Sequence, residues 1–206
     1  MTPRERLDAA LAGRIGMREL KEQLHEILDR IEYENTQCVG GRRYWPPNMM
    51  FSGASGTGKT TTARMLAQIL FEMGALPGRD GKCVFVELKF SDLPGKDAGE
   101  CVKKKVAEAE GGIILIDEIY LFKAKRSSLQ ALLPLLDTYD GKVVFVVAGY
   151  PRKIDDFMNS NEGLPGRFPE RVHLRNLTAE ELMQLIAIDM SKDSMTYASG
   201  AANAML

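Results

Sequence analysis

Residues 48–60 read NMMFSGASGTGKT, and this stretch decides the fold. A short apolar run, Met49 to Phe51, enters a turn carrying Gly53, Gly56 and Gly58 and leaves it on Lys59 and Thr60. From Thr60 to Met73 apolar residues recur at helical spacing, and Gly74 stands where a helix-ending glycine belongs. Strand, glycine turn and helix in that order make a backbone whose N–H groups can point inward at one spot. The positive end of the helix dipole aims at the same spot.

GxxxxGK[ST] is the spacing such a turn needs to wrap a phosphate chain. Gly53, Ala54, Ser55, Gly56, Thr57 and Gly58 would supply main-chain amides, and Lys59 would reach the β- and γ-phosphates. The Thr60 hydroxyl would ligate magnesium, with Thr61 beside it at the cofactor. Downstream, IILIDE (residues 113–118) is an apolar strand ending in two acids. Asp117 can hold magnesium through water, and Glu118 is placed to polarise an attacking water. That second acid favours hydrolysis of ATP over phosphoryl transfer to a metabolite.

Further continuous apolar runs, CVFVEL (83–88) and KVVFVVAG (142–149), alternate with helical segments, and RVHL (171–174) makes a last short strand. Such alternation predicts a parallel sheet covered by helices on both faces, an α/β P-loop NTPase fold. Helical patterns are expected over 17–35, 101–110 and 127–139, with a bend or kink at Pro134. Two capping boxes, Thr2 with Glu5 and Thr178 with Glu181, open the first and last helices. The segments 38–47, 76–82 and 91–100 read as loops.

Composition excludes several classes. The 206 residues carry a formal charge of −1, so no global basic field recruits nucleic acid. The basic clusters Arg42-Arg43, Lys103 to Lys105 and Lys123 to Arg126 are short and read as solvated faces. Three scattered cysteines and two histidines argue against a disulfide framework or a histidine-rich metal site. With neither an apolar run of about 18 residues nor a secretory leader, no membrane insertion is expected and a cytoplasmic location is the default.

GASGTGKTTTAR, the GGIILIDEIY block, the AGY strand end (148–150) and the segment Asn161–Phe168 together resemble the CbbX/CfxQ-type AAA+ ATPases. That group includes red-type Rubisco activases, the stage V sporulation protein K group and type VII secretion ATPases. The resemblance covers about residues 14–190. It implies a three-layer AAA+ sandwich followed by the start of a small helical lid. The expected divisions are N-terminal helices over 1–36, the large ATPase subdomain over 37–175 and an incomplete lid over 176–206. It also implies ATP and Mg2+ as cofactors, a hexameric ring and a protein client.

By the same resemblance, Ile15 and Gly16 would contact adenine, Tyr150 would stand at or beside the first sensor, and Arg167 would be the arginine finger, with Arg171 in reserve. Three departures bear on this. Asp97 stands where relatives carry a pore-loop aromatic, which puts threading in doubt, and nearby Phe90 reads as packing. Pro165 and Gly166 replace part of the relatives' L-R-S-R-F segment. No second sensor arginine follows, and the last helix has no partner for its apolar face, so a piece of a longer protein is expected. A nucleotide-gated scaffold with little turnover, and a nucleic-acid motor or clamp-loader-like factor, stay open as alternatives.

Overall fold

The computed structural model describes residues 1–38, 44–94, 97–124 and 126–192. Helices α1 (Pro3–Leu11) and α2 (Arg18–Gln37) precede β1 (Met49–Gly53) and α3 (Lys59–Glu72). Then come β2 (Phe85–Leu88), α4 (Ala98–Glu108), β3 (Ile113–Ile116) and α5 (Arg126–Thr138). The chain ends through β4 (Val144–Gly149), α6 (Pro151–Met158), β5 (Glu170–Leu174) and α7 (Ala179–Lys192).

All five strands lie parallel in one sheet, in the order β2-β3-β4-β1-β5. Side-chain alternation divides the core in two. Met49, Phe51, Leu115, Val146 and Val172 face α1, α2 and α3, whereas Met50, Ile114, Ile116, Phe145 and Val147 face α4, α5 and α6. A strand buried on both faces has no polar side to keep, which is why these strands read as continuous apolar runs.

The N-terminal helices belong to this core. Leu7, Leu24 and Leu28 are fully buried in the same cluster as Phe51 and Leu66. Along α2, Gln23 also pairs with the open side of β5. Its amide accepts from His173 N at 2.8 Å and donates to His173 O at 3.1 Å, as a neighbouring strand would.

Local chemistry follows the sequence closely. Both capping boxes form, Thr2 with Glu5 and Thr178 with Glu181. Gly74, at φ +75°, ends α3 with Gly74 N on Phe71 O and Ala75 N on Leu70 O, both 2.9 Å. One expectation shifts. Helix α4 starts at Ala98, with Asp97 at the N-cap position, and a 3-10 turn, Phe90–Asp92, fills part of the expected loop. Helix α5 continues through Pro134, whose carbonyl accepts from the Thr138 hydroxyl at 2.9 Å.

Phe90 packs on Phe122 with ring centroids 6.3 Å apart, as expected of a packing residue. Lys103 and Lys105 pair with Glu100 and Glu108 on their own helix. Arg42 and Arg43, Gly95 and Lys96 of the expected pore loop, Lys125, and 193–206 of the expected lid lie outside the described residues. Among the described residues no helix is long and apolar enough to cross a membrane.

Since α2 shares the sheet's core, Leu28→Ala should destabilise the whole chain by about 2–5 kcal/mol. Urea unfolding followed by circular dichroism reads this as one shifted transition. A separate early transition with the main one unmoved would show α2 to be an independent arm.

Candidate functional site

The carboxyl ends of β1, β4 and β3 lie side by side, because β4 pairs with both neighbours: Ser52 with Gly149 and Ile116 with Val147. Segments far apart in sequence thereby open onto one edge of the sheet, where ligands of parallel α/β sheets bind. A cavity of about 240 Å³ there is lined by Ser55, Lys59, Asp117, Glu118, Tyr120, Gly149 and Tyr150.

The glycine loop is built by backbone requirements. Gly56 and Gly58 sit at φ +79° and +91°, the left-handed region that a side chain disfavours. Gly53 is needed for a different reason: a Cβ there would stand 2.5 Å from Leu174 O and 2.8 Å from Thr57 Oγ1. Thr57 Oγ1 donates to Ala54 O at 2.9 Å and closes the turn. Lys59 Nζ reaches back to Gly53 O at 3.0 Å and Ala54 O at 2.8 Å. Burial lowers the Lys59 pKa, and the charges of Asp117 and Glu118 oppose that shift.

Asp117 is held by its own strand, since Asp117 N donates to Leu88 O at 3.1 Å and extends the β2–β3 ladder. The chain then turns sharply. Glu118 adopts φ +51°, uncommon for a residue with a side chain, and its N–H donates to Asp117 Oδ1 at 3.0 Å. Tyr120, in the 3-10 turn Ile119–Ala124, donates its hydroxyl to Glu118 Oε1 at 2.9 Å. Tyr150 caps α6 ahead of Pro151, and its ring centre lies 5.9 Å from Lys59 Nζ.

On the loop's other flank a second cavity, about 390 Å³, is lined by Met17, Ser55, Gly56, Thr57, Arg175 and Leu177 among others. Gly16, at φ +74°, abuts it so closely that a Cβ would lie 2.3 Å from Leu177 Cδ2. Ile15 is half-buried beside it. Arg175 clasps Glu181 through two bonds of 2.6 Å and reaches Glu19 at 3.3 Å, tying β5 to both α2 and α7.

The structure therefore gathers Lys59, Asp117, Glu118 and Tyr150 around one cavity and brings Gly16 to the edge of its neighbour. Thr60 is half-buried in the first turn of α3. Thr61 faces elsewhere, lining a groove with Arg64, Cys83 and Phe85. Arg167 lies at the opposite edge of the sheet, beside Asn48, which precedes β1. There it is engaged by Asp137 through bonds of 2.8 and 2.9 Å and by Gly163 O at 2.8 Å. Arg171 is exposed on β5 and reaches Asp155 at 3.4 Å. Tyr120 and Arg175 are the site residues that the sequence reading did not select. Tyr120 stood inside the quoted strand-end block, while nothing marked Arg175.

A larger groove of about 660 Å³ lies among Pro3, Arg6, Glu32 and Glu72. Its polar groups include the surface pair Arg6–Glu72, whereas the smaller cavity converges an ammonium, two carboxylates and two phenols. Convergent chemistry selects the smaller one.

Comparison with known proteins identifies the class. Residues 49–176 match the model of the ATPase family associated with various cellular activities (AAA), and the chain belongs to that family. Nucleotide binding and ATPase activity are properties of the family. Among particular proteins, the chain is 28% identical to stage V sporulation protein K of Bacillus subtilis (strain 168), over 87% of this chain and 58% of that one. It is 30% identical to the chloroplastic ribulose bisphosphate carboxylase/oxygenase activase of Cyanidioschyzon merolae, over 83% and 61% respectively. The ESX-1 secretion system protein EccA1 of Mycobacterium tuberculosis is 29% identical over 98% of this chain and 38% of its own length.

The chain thus spans about three-fifths or less of these relatives. Among solved structures, the FIGL-1 AAA domain in complex with ADP superposes with a TM-score of 0.63 at 20% identity, covering 88% of this chain and 61% of that one. A structure describing katanin self-assembly gives 0.58 at 26%, covering 85% and 56%.

The Arg175 clasp has a pH signature. The Arg175 guanidinium, and next the Thr178 backbone N–H, hold Glu181 well below its ordinary 4.5, at about 2. A carboxylate depressed on folding adds stability that is complete above its unfolded pKa and is lost as pH falls through the folded one. Between pH 4.5 and about 2, the parent's melting temperature should therefore fall more steeply than that of Glu181→Gln. Parallel curves would mean that the clasp does not hold in solution.

Proposed function

We propose that this chain binds ATP with magnesium and hydrolyses it. The observation carrying this reading is the convergence of Lys59, Asp117 and Glu118 on one cavity at the carboxyl edge of the sheet. On binding, Lys59 Nζ exchanges two neutral carbonyl acceptors, Gly53 O and Ala54 O, for charged phosphate oxygens, which accept stronger bonds. The amides of Gly53 to Thr60 surround the phosphates. Base and ribose take the second cavity, between Met17 and Leu177, with Gly16 against Leu177 at its edge and Ile15 next in the chain.

Magnesium fits the chemistry of the donors present. It prefers oxygen ligands and is commonly held by one or two carboxylates together with substrate phosphates. The Thr60 hydroxyl and Asp117 carboxylate would hold it, and among the described residues no cluster of three or more acidic, histidine or cysteine side chains competes. Bound there, the cation would neutralise charge developing on the phosphates. Glu118 orients the attacking water and takes its proton, while Tyr150 lines the cavity beside the reacting phosphate.

We further infer that residues 1–36, 37–175 and 176–206 act as entry helices, ATPase subdomain and lid, and that copies assemble as a ring, commonly a hexamer, remodelling a protein client. Arg167 lies across the sheet from its own loop, so its route to a phosphate runs through a neighbouring copy. A second reading, a nucleotide-gated scaffold with little turnover, draws on the engagement of Arg167 by Asp137. A nucleic-acid motor gains no support from Lys103 and Lys105, both paired within α4.

Lys59→Ala should weaken binding of a fluorescent ATP analogue by roughly 30-fold or more, the cost of losing charge-assisted bonds. Glu118→Gln should keep that affinity and lower turnover by about 10²–10⁴. Unchanged affinity in the first variant would dismiss the site. A parent that binds tightly but does not turn over would favour the scaffold.

Arg167→Ala should bind ATP normally and lose about 10³-fold or more in rate, in the assembled form only. Mixing it with Lys59→Ala should restore part of the turnover, since one variant supplies the loop and the other the arginine. No recovery on mixing, with assembly verified by light scattering, would place Arg167 outside the reaction.

A further inference from the structure

We propose that Tyr120 is a positioning residue, its hydroxyl fixing the Glu118 carboxylate toward the attacking water. The inference rests on the hydrolytic role proposed for Glu118.

Glu118 has few other restraints. It is exposed at the mouth of the cavity, and its backbone sits at φ +51° just where the chain leaves β3. A carboxylate on three rotatable bonds at such a position samples several directions, of which few meet a water in line with a phosphate. Tyr120 removes that freedom by donating to Oε1 at 2.9 Å, which leaves Oε2 as the oxygen open to water. The left-handed turn at Glu118 makes this possible, because it folds the chain so that the side chain two residues on returns over the acid.

The ring delivering the hydroxyl is itself fixed from several sides. A Cβ on Gly149 would stand 2.8 Å from Tyr120 Cε1 and 3.1 Å from Cδ1, so the ring occupies room that only glycine leaves at the end of β4. Tyr150 packs against it at 6.4 Å between centroids, and Lys153 Nζ lies 4.9 Å from its centre. Burial first, and the Glu118 carboxylate second, keep the phenol protonated well above neutral pH, so the hydroxyl remains a donor. Rigid ring, fixed hydroxyl and one engaged carboxylate oxygen form a support shell for the proposed base.

The test compares Tyr120→Phe, Glu118→Gln and the double variant in the full chain. Tyr120→Phe keeps the ring and removes only the hydroxyl. Turnover should fall about 10- to 100-fold, with affinity for a fluorescent ATP analogue within about twofold of the parent. In the Glu118→Gln background the same substitution should cost nothing further, the mark of a residue acting through another. A Phe variant as fast as the parent or faster, or one whose loss persists in full without the Glu118 carboxylate, overturns the proposal.

A readout free of turnover accompanies these rates. With [13Cζ]tyrosine labelling, the Tyr120 resonance is assigned by its disappearance in Tyr120→Phe and should move in Glu118→Gln. An unmoved resonance means that the bond is absent in solution, and the inference fails whatever the ATPase does. A moved resonance in a parent that turns over no ATP instead overturns the hydrolytic reading, and with it the purpose given to the bond.

Discussion

Parallel pairing of β4 with both β1 and β3 is the constraint on which the carboxyl edge of the sheet depends. It brings the loop after Gly53 and the acids after Ile116 to one level, separated by the end of β4. Each segment is then held by its own backbone: positive φ at Gly56, Gly58 and Glu118, and an added ladder bond from Asp117 N to Leu88 O. The side chains that meet in the cavity are therefore located by main-chain geometry before any of them interacts. Their mutual contacts refine a placement already set by the sheet.

Helices on both faces make that sheet rigid. Fully burying one Leu or Phe contributes roughly 1.5–3 kcal/mol, and among the described residues the two clusters hold twenty buried Leu and Phe side chains between them. The N-terminal helices add Leu7, Leu24 and Leu28 to the same cluster as β1, so the segment that carries Ile15 and Gly16 is anchored at both ends. That anchoring brings Gly16 against Leu177 and Glu181. The second cavity is thus formed by three parts of the chain that share no local sequence relation.

Much of this was legible in the sequence, and the reasons differ by element. The strands announced themselves because burial on both faces leaves uninterrupted apolar runs, as in IILI and VFVVAG. The glycine loop was legible because its backbone demands particular residues at fixed spacing. What stayed hidden was whatever depends on partners distant in sequence. Asp137 and Arg167 are thirty positions apart, and nothing local marks them as a pair. Arg175 looks like a solvated charge until Glu19 and Glu181 are seen around it. Tyr120 meets Glu118 across a turn at positive φ that no local residue pattern announces. The start of α4 is not legible because Ala98 and Gly99 carry too little side chain to mark a helical stripe, although Ala98 is fully buried.

The pairing of Gln23 with His173 carries a consequence for how copies of this protein can meet. An outer strand of a sheet normally offers unsatisfied amide and carbonyl groups, an invitation to extend the sheet into another molecule. On β5 that invitation is withdrawn at His173, where a single carboxamide occupies both groups. Growth of a continuous intermolecular sheet is obstructed at this point of the flank, since an incoming strand would first have to displace the carboxamide from both groups.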